Sequence, residues 1–429
     1  MKKLRVIIAS TPLAGHVSPL LGVARGLVER GHEVVINTGS LFRAATERTG
    51  ARFVPLHPEI DYDYRRIDEQ FPERAQLPPG PAQMLFGMKH LYTDAIPRQA
   101  EGLRLIQEEF QADAILIDIL FCGALPFLLG PREQRLPIVS LGITTIMMSS
   151  VDTAYFGLGL PPSSTPRARA RNAALNASWQ QKIFGPLQDY LNDTLARLGC
   201  PAMPAFLSDA GTLLPDLYLQ LGVPSFEYPR SDLPPNVRFV GPVIPPAPDL
   251  VAPPWWADLD GGKPVVVANQ GTVANLDLGQ LVAPTMQALK DDDVLVIAGT
   301  GGPPVETIPG PIPANARTGT FLPFHHLLPK ADVLVTNGGM GGVTHALSLG
   351  LPLIVAGDSE EKPEVAQHVA WAGAGINLAT GRPSPELIRE AVMDILSNPS
   401  YRHNARRLAR DFAAHDPIGS IESALFELT

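Results

Sequence analysis

Short apolar runs alternate with amphipathic segments along most of this chain, and each such pair predicts a strand followed by a helix. Repeated strand–helix pairs are typical of parallel α/β sheets. In the first half, the apolar runs predict strands over Leu4–Ala9, Glu33–Asn37, Ala112–Asp118 and Pro137–Leu141. The amphipathic segments there predict helices over Pro19–Arg30 and from about Phe42 to Thr49.

The pattern is interrupted over residues 242–262, where six prolines precede two glycines and predict a semi-stiff connector. After it the alternation restarts, and its apolar runs predict strands over Pro264–Asn269, Val294–Ala298, 332–336, 353–356 and Gly375–Leu378. The helices predicted in this half lie near Leu278–Leu289, over Pro385–Ser397, over Tyr401–Ala413 and near Gly419–Leu428.

These elements predict an α/β protein with two doubly wound, parallel-sheet domains. We expect a first domain over 1–243, a linker over 244–262, a second domain over 263–405, and a helical tail over 406–429 packing back on the first domain. Ligands of such sheets bind beyond the carboxyl ends of the strands. The two sets of strand ends therefore predict a cleft between the domains.

Composition and charge narrow the classes of function. Of 429 residues, 45% are hydrophobic and 18% are charged, which is enough apolar material for large cores. The net charge of −9, without a basic stripe, argues against a nucleic-acid partner. The two cysteines, Cys122 and Cys200, form neither a disulfide framework nor a zinc pattern, and the histidines show no metal-ligand spacing.

Two features of the sequence bear on location. The N-terminal MKKLRVIIAS has the basic start of a signal peptide, but its apolar run is short and a polar turn follows it, so a first strand is predicted there. The sequence contains no apolar stretch of 18 residues. We therefore expect a soluble, cytoplasmic protein without an integral membrane segment.

The densest chemical signal lies in residues 332–362, DVLVTNGGMGGVTHALSLGLPLIVAGDSEEK, where a strand opens through glycines into a helix. Gly338, Gly339, Gly341 and Gly342 allow a ligand to approach the backbone, and unpaired N–H groups at a helix start favour an anion. The run matches neither the G-x-G-x-x-G dinucleotide fingerprint nor a P-loop. A tight strand–helix turn packed by glycine is therefore the other interpretation.

An acidic loop follows the next predicted strand. Glu360 and Glu361 lie at its exit, where carboxylates can accept hydrogen bonds from a hydroxyl-rich group. Lys362 stands directly beside Glu361, where it can pair with Glu361, as in an ordinary surface ion pair, or contact a ligand. A phosphate-binding turn beside carboxylates is what a sugar nucleotide requires.

His16 and Asp118 are the candidate acid–base groups. His16 follows the first strand in the segment TPLAGHVSP, where Gly15 permits a tight turn. An imidazole at the carboxyl end of a strand can take a proton near neutral pH, although a loop histidine that caps the helix is the alternative. Asp118 ends a buried strand at the same sheet edge, where it either orients His16 or caps the next helix.

Two further candidates follow predicted strands of the second half. Thr272 ends the segment NQGT, a glycine-containing exit that suits a phosphate or forms an ordinary turn. Phe321 begins the segment FLP at another strand end, where its ring can stack on a base or fill the core.

Taken together, these residues resemble the UDP-glycosyltransferase superfamily of the GT-B fold, nearest to bacterial macrolide and natural-product glycosyltransferases. The resemblance covers essentially the whole chain. It rests on GHVSPLLGVARGLVERGHEV near the N-terminus and on FLPFHHLLPKADVLVTNGGMGGVTHALSLGLPLIVAGDSEEKPEVA towards the C-terminus. It implies two Rossmann-like domains that face a cleft.

The resemblance also implies roles for individual residues. His16 is then the general base and Asp118 the acid that orients it, while Phe321 stacks on the nucleobase and the backbone of Leu322 reads its edge. Thr272 and the glycine turn hold the diphosphate, and the acidic loop holds the sugar. The residues so assigned to the donor are Gly15, Thr272, Phe321, Leu322, Asn337, Gly338, Gly339, Gly341, Gly342, Glu361 and Lys362. An apolar acceptor pocket is expected around Met84, Phe86, Met88, Ile143, Met147 and Phe156.

Four positions depart from the family pattern. Asn337 stands where the family has a phosphate-binding histidine, and its amide can still donate to a phosphate oxygen. His345 stands in place of a ribose-binding glutamate, which bears on ribose recognition. Lys362 replaces the glutamine after the sugar-binding acid, and Phe324 replaces the glutamine of a W-x-P-Q-like segment. The change at Lys362 bears on which sugar is used.

The expected activity is inverting, metal-independent transfer of a sugar, glucose first, from a UDP-sugar or a dTDP-sugar. The acceptor is a hydroxyl of a hydrophobic small molecule such as a polyketide, macrolide or phenolic. No cofactor is expected, because helix N-termini and glycine amides can stabilise the leaving diphosphate. Two alternatives share the fold. A nucleotide-sugar 2-epimerase needs further carboxylates and leaves His16 idle, and an inactive glycosyltransferase-like partner typically lacks the base.

Overall fold

Two parallel β-sheets lie at the centre of the computed structural model, which describes residues 3–78, 81–272 and 275–429. The strands of the first sheet are β1 (Arg5–Ala9), β2 (Glu33–Thr38), β3 (Arg52–Pro55), β4 (Ala114–Asp118), β5 (Ile138–Gly142), β6 (Leu217–Gln220) and β7 (Val237–Phe239). Those of the second sheet are β8 (Val265–Asn269), β9 (Leu295–Gly299), β10 (Ala316–Gly319), β11 (Val333–Thr336), β12 (Leu353–Val355) and β13 (Gly375–Asn377).

Helices connect these strands in both domains. In the first domain they are α1 (Ala14–Glu29), α2 (Arg43–Glu47), α3 (Ile67–Gln70), α4 (Pro72–Ala75), α5 (Pro81–Gly87), α6 (Ile96–Phe110), α7 (Leu125–Leu128), α8 (Pro166–Ser178), α9 (Gly185–Arg197) and α10 (Leu207–Leu213). From the second sheet to the C-terminus they are α11 (Val282–Ala288), α12 (Phe324–Leu327), α13 (Met340–Ser348), α14 (Lys362–Trp371), α15 (Pro385–Ser397), α16 (Pro399–Ala413) and α17 (Pro417–Leu428).

The strand order identifies both sheets as doubly wound. The first runs β3-β2-β1-β4-β5-β6-β7 and the second β10-β9-β8-β11-β12-β13. In the first sheet the direction of winding reverses between β1 and β4, and in the second between β8 and β11. Such switch points leave a crevice at the carboxyl ends of the strands, where ligands bind. The predicted fold class of two Rossmann-like, parallel-sheet domains is confirmed.

The central strands form because their side chains are buried on both faces of each sheet. In β1, Val6 and Ile8 pack into one core cluster, whereas Ile7 and Ala9 pack into another on the opposite face. This alternation follows from the two-residue period of a strand. The predicted strands all overlap observed ones, and their bounds differ by at most two residues.

Helix α1 differs from the prediction in a way that affects the site. It was expected to begin at Pro19, but it begins at Ala14, because Val17 N–H already donates to the Leu13 carbonyl. Pro19 lies within the helix, close enough to its start that little of the hydrogen-bond ladder is lost. His16 consequently lies in the first turn of the helix and not in a preceding loop.

The C-terminal helices join the two domains. The predicted boundary at residue 405 falls inside α16, whose Leu408 and Phe412 pack in the core of the second domain. Helix α17 then crosses to the first domain, where it contacts α1, and Ile421 joins the core beside β1. Glu422 completes this contact with a 2.8 Å bond to His32 Nε2.

Candidate active site

The end of β4 and the start of α1 meet at the switch point of the first sheet. There, Nδ1 of His16 lies 2.9 Å from Oδ1 of Asp118. The other carboxylate oxygen accepts the N–H of Thr11 at 2.6 Å, and Oδ1 also accepts that of Leu120 at 2.8 Å. The next helical turn has Phe121 as its N-cap, so Asp118 is not a helix cap. Through these contacts Asp118 orients His16 and joins the segment that follows β1 to the segment that follows β4.

This contact fixes the tautomer of His16. Asp118 is fully buried, and an ionised carboxylate can only accept hydrogen bonds, so Nδ1 of His16 carries the hydrogen. Nε2 is then the ring nitrogen with an available lone pair. The His16 side chain keeps 16% of its surface exposed, whereas Asp118 has none. The arrangement is that of an oriented proton acceptor.

The charges around His16 and Asp118 make His16 a better proton acceptor. Burial alone would lower the pKa of His16, but the Asp118 carboxylate, and to a smaller extent Glu361 and Glu360, raise it above the ordinary value of 6.5. Burial would raise the pKa of Asp118, but His16 and the two backbone N–H donors lower it overall. His16 is therefore a stronger base than a free imidazole, beside a carboxylate that stays ionised.

The glycine run lies at the switch point of the second sheet, where β8 and β11 pair. Gly338 has φ of +91°, and a Cβ placed on it would lie 2.7 Å from Cγ1 of Val355, so only glycine fits. Gly339, Gly341 and Gly342 instead have open space where a side chain would begin. They start α13, whose first N–H groups lack partners within the helix, so this turn suits an anion.

Asn337 links this turn to the exit of β8. Its Nδ2 donates to the carbonyl oxygen of Gln270 at 2.6 Å, and its side chain is almost fully buried. Thr272, two residues beyond that carbonyl, is exposed. One amide hydrogen of Asn337 is thus used within the protein, and the predicted contact with a phosphate depends on the other.

The acidic loop faces the first domain, since a Cβ placed on Gly157 would lie 3.9 Å from the backbone oxygen of Glu360. Lys362 begins α14 and is 5% exposed, and its Nζ pairs with Glu360. The predicted pairing of Lys362 with Glu361 is therefore wrong. The backbone of the loop reverses direction at Glu360, which has φ of +56°, and this turn brings the Glu360 carboxylate to the lysine.

Phe321 follows β10, at the same edge of the second sheet as the glycine turn. Its side chain is 72% exposed, so the interpretation of Phe321 as a core residue is wrong. Leu322 instead packs inwards, and a Cβ on Gly299 would lie 2.8 Å from its Cδ1. Three strand spacings, about 14 Å, separate β10 from β11. An extended ligand can therefore reach from the exposed ring to the glycine turn.

His345 lies on α13 with its ring 4.4 Å from that of His325. Burial, followed by the charge of His325, lowers the pKa of His345 to about 4. It is therefore neutral at pH 7 and can both donate and accept a hydrogen bond. Phe324, in contrast, packs against the core of the second domain.

The apolar acceptor candidates fall into two groups. Ile143 and Met147 pack around the loop that follows Asp118, and Met88 lines a narrow cavity beside that loop. This cavity measures about 40 Å³, which is far below the roughly 300–1,000 Å³ that small-molecule pockets occupy. The remaining candidates lie on other elements: Met84 and Phe86 on α5, and Phe156 half-buried in the loop after β5.

Two tyrosines near the pair were missed by the sequence analysis. The hydroxyl of Tyr62 is buried and has no hydrogen-bond partner among the described residues. Burial and the charge of Asp118 raise its pKa well above the ordinary value, and the same influences act on Tyr92. Neither tyrosine lies in a regular apolar or charged pattern, so the sequence contained no signal for them.

Neither a metal-binding cluster nor a membrane-spanning helix occurs in the part of the chain that the structure describes. Within residues 3–78, 81–272 and 275–429, no three His, Cys, Asp or Glu side chains are grouped so as to hold a metal ion. Over the same ranges, every helix is too short or too polar to span a bilayer.

Comparison with known proteins places this site in a family context. Residues 285–428 match the family model described as Erythromycin biosynthesis protein CIII-like, C-terminal domain. The 4'-demethylrebeccamycin synthase of Lentzea aerocolonigenes is 43% identical over 417 residues, which cover 96% of this chain and 97% of the relative. The UDP-glucosyltransferase A1 of Starmerella bombicola is 32% identical over 433 residues, 99% of this chain and 92% of the relative.

Solved structures share the whole architecture. The glycotransferase of kitacinnamycin superposes with a TM-score of 0.75 at 23% identity, covering 100% of both chains. At this identity the likeness concerns the fold, and it includes both sheets and the cleft between them.

Proposed function

Since this chain belongs to the UDP-glycosyltransferase superfamily of the GT-B fold, in its natural-product branch, we propose that it is an inverting, metal-independent glycosyltransferase. It moves a sugar from a nucleotide to a hydroxyl of a hydrophobic small molecule. UDP-glucose is the first donor to test, because a full-length relative is named a UDP-glucosyltransferase, and a dTDP-sugar is the second. The observation that carries the proposal is the oriented His16–Asp118 pair at the switch point of the first sheet.

In the proposed reaction, Nε2 of His16 removes the proton from the acceptor hydroxyl while the oxygen attacks the anomeric carbon. The bond from that carbon to the diphosphate oxygen breaks, and the nucleoside diphosphate leaves with the electron pair. Because attack comes from the face opposite the leaving group, the anomeric configuration inverts. The ionised Asp118 stabilises the imidazolium that forms.

The donor is assigned to the second domain. The amides at the start of α13, with Thr272 and Asn337, hold the diphosphate, and the helix terminus stabilises its developing charge. Phe321 stacks on the base beside Leu322, and Glu361 accepts hydrogen bonds from the sugar. Lys362 keeps Glu360 neutralised, which leaves Glu361 as the acid for the sugar.

Mass spectrometry of reaction mixtures tests this proposal. The protein is incubated with UDP-glucose, other UDP-sugars and dTDP-sugars, each with a panel of phenolic, polyketide and macrolide acceptors. We expect a mass increase of one sugar residue on an acceptor, with release of the nucleoside diphosphate. An isomerised nucleotide sugar without a glycoside would identify a 2-epimerase, and no turnover at all with bound nucleotide would identify an inactive partner.

Gly341→Ala separates ligand binding from folding. A Cβ at Gly341 meets no atom within 4 Å, so the fold should tolerate it, with thermal stability unchanged or slightly raised because alanine favours helix. The methyl group would nevertheless occupy the space beside the anion-binding amides. We expect calorimetry to show about tenfold weaker UDP binding, a loss of about 1.4 kcal/mol.

The matched variant is Gly338→Ala. The positive φ of Gly338 and the contact of an added Cβ with Val355 predict a lower melting temperature in addition to weaker UDP binding. Wild-type affinity for UDP in Gly341→Ala would show that the diphosphate is bound elsewhere.

Metal independence is a separate prediction. The Asp291–Asp293 run precedes β9 and therefore lies at the sheet edge opposite the carboxyl ends, away from the proposed donor site. We expect initial transfer rates to be the same with and without an excess of EDTA. Rates that vanish in EDTA and return on addition of Mg²⁺ or Mn²⁺ would exclude the metal-free reaction.

A further inference from the structure

A loop of the first domain that contains Gly157 and Gly159 forms hydrogen bonds to helix α14 of the second domain. The N–H groups of Gly157 and Gly159 both donate to Oε2 of Glu364, at 3.1 and 3.3 Å. The Glu364 carboxylate is 6% exposed and lies in the first turn of α14. A Cβ placed on Gly159 would lie 2.9 Å from the backbone oxygen of Pro363, so the two backbones are in close contact.

A second contact between the domains lies one turn further along the same helix. His368 is fully buried, and its Nε2 lies 2.9 Å from Oε1 of Glu227, in the segment between β6 and β7. Glu227 also accepts the N–H of Ile146, at 2.9 Å, and pairs with Arg230 at the same distance. The Glu227 carboxylate thus joins α14 to the loop that follows β5.

Each ring nitrogen of His368 faces a hydrogen-bond acceptor. Its Nδ1 lies 2.8 Å from the carbonyl oxygen of Glu364, which can only accept, and its Nε2 faces a carboxylate. Both ring nitrogens therefore donate. The ring of Tyr228 stacks on the imidazole at 3.5 Å between centroids and so packs one face of it. This buried network gives both ring nitrogens of His368 and both oxygens of Glu227 a partner, and it holds α14 in one place.

The helix so held begins where the sugar is proposed to bind. Glu361 is the N-cap residue of α14, and Lys362 is its first residue. The charges of Glu360 and Glu361 reach His16 on the opposite wall of the cleft. Any displacement of α14 from the first domain would therefore change the distance between the acidic loop and the proposed base.

We propose that Glu364 and His368 are positioning residues that fix α14 and the acidic loop against the first domain in the geometry that sugar transfer requires. They touch neither substrate in the proposed reaction and act through Glu361 and the loop around it. This inference rests on the proposed function for its catalytic consequence. The contacts themselves, to Gly157, Gly159 and Glu227, can be tested without it.

The first test replaces His368 by phenylalanine, which keeps a ring against Tyr228 and removes both N–H donors. We expect kcat to fall on the order of 10²-fold, the effect of a displacement of about 1 Å between reacting groups. The dissociation constant for UDP, measured by calorimetry, should stay at the wild-type value, because the proposed diphosphate site lies within the second domain. General unfolding would abolish UDP binding as well.

Glu364 offers a conservative comparison. Glu364→Ala removes the acceptor for Gly157 and Gly159, whereas Glu364→Gln keeps an acceptor oxygen. We expect the alanine variant to lose kcat and to exchange the amide hydrogens of residues 157–159 faster with deuterium. The glutamine variant should recover most of both properties.

Gly159→Ala with Gly199→Ala forms a matched pair. Both glycines have positive φ, of +59° and +75°, so both substitutions strain the backbone, but only the first brings a Cβ against the second domain. We expect Gly159→Ala to lower kcat and Gly199→Ala to leave it unchanged.

Wild-type kcat in His368→Phe and Glu364→Ala, with unchanged exchange at residues 157–159, would overturn the inference. If His368→Phe does not bind UDP, the Glu364 pair and the glycine pair decide the question. If the wild-type protein makes no glycoside from any donor, the proposed function fails. The exchange measurement then still decides whether these residues hold the two domains together.

Discussion

His16→Ala is expected to lower kcat for an alcohol acceptor by on the order of 10²-fold or more, the contribution typical of a positioned general base. The imidazole bonded to Asp118 would be gone, and water would have to accept the proton of the hydroxyl. Binding of UDP should be retained, since the proposed donor site is built by the second domain. The measurement is steady-state kinetics with the best acceptor from the product screen, together with calorimetry for UDP.

His326→Ala is the control for this variant. His326 lies half-buried beside the linker, where its Nε2 contacts the carbonyl oxygen of Pro248, and the proposed reaction does not use it. Its removal should leave kcat unchanged. An ionised phenol needs less help from a base, so the loss in His16→Ala should be smaller for acidic phenols than for alcohols. Equal turnover by wild type and His16→Ala on an alcohol would remove His16 from the mechanism.

Asp118→Asn is expected to lower kcat by about 10² to 10⁴-fold, because it changes both the charge and the tautomer of the base. An amide nitrogen facing Nδ1 would donate to it and place the hydrogen on Nε2, where the proton of the acceptor has to arrive. The imidazolium of the transition state would also lose its carboxylate. The melting temperature and circular dichroism report separately on the bonds from Thr11 and Leu120.

The pH profile gives this variant a second readout. His16 acts as a base only when neutral, so wild-type kcat/KM should rise with pH through the pKa of His16, which lies above 6.5. In Asp118→Asn the main influence that raises this pKa is removed while burial remains, so the rise should move to lower pH. An unshifted profile, with an unchanged rate, would leave Asp118 as a purely structural residue.

The fold could be predicted from the sequence because its strands are buried on both faces. An apolar run such as Val265–Asn269 is typical of a strand that is buried on both faces. Alternation of such runs with helices then indicates parallel sheets. The start of α1 differs from the prediction because a proline favours the first turn of a helix, whereas α1 accommodates Pro19 five residues after its first residue.

The site was predictable where a residue directly follows a strand. His16, Asp118 and the glycine turn lie at the switch points, because the topology brings the carboxyl ends of the parallel strands to one edge of each sheet. Contacts between the domains were not predictable in this way. Glu227 and His368 are 141 positions apart, and nothing in either local sequence marks them as partners.

The pairing of Lys362 with Glu360 shows a third limit. Two acidic neighbours were available to this lysine, and the choice depends on the positive φ of Glu360, which the sequence does not reveal. The exposure of Phe321 agrees with the first of the two alternatives that its local sequence left open, an aromatic ring free to stack on a base.

The most direct test of the central claim is the configuration of the product. The protein is incubated with UDP-α-glucose labelled with ¹³C at the anomeric carbon and with one acceptor, and the products are followed by NMR. Direct attack assisted by His16 predicts a β-glucoside, formed in equal amount with UDP and formed more slowly, by on the order of 10²-fold or more, in His16→Ala. An α-glucoside, or UDP released without any glucoside, would contradict the account.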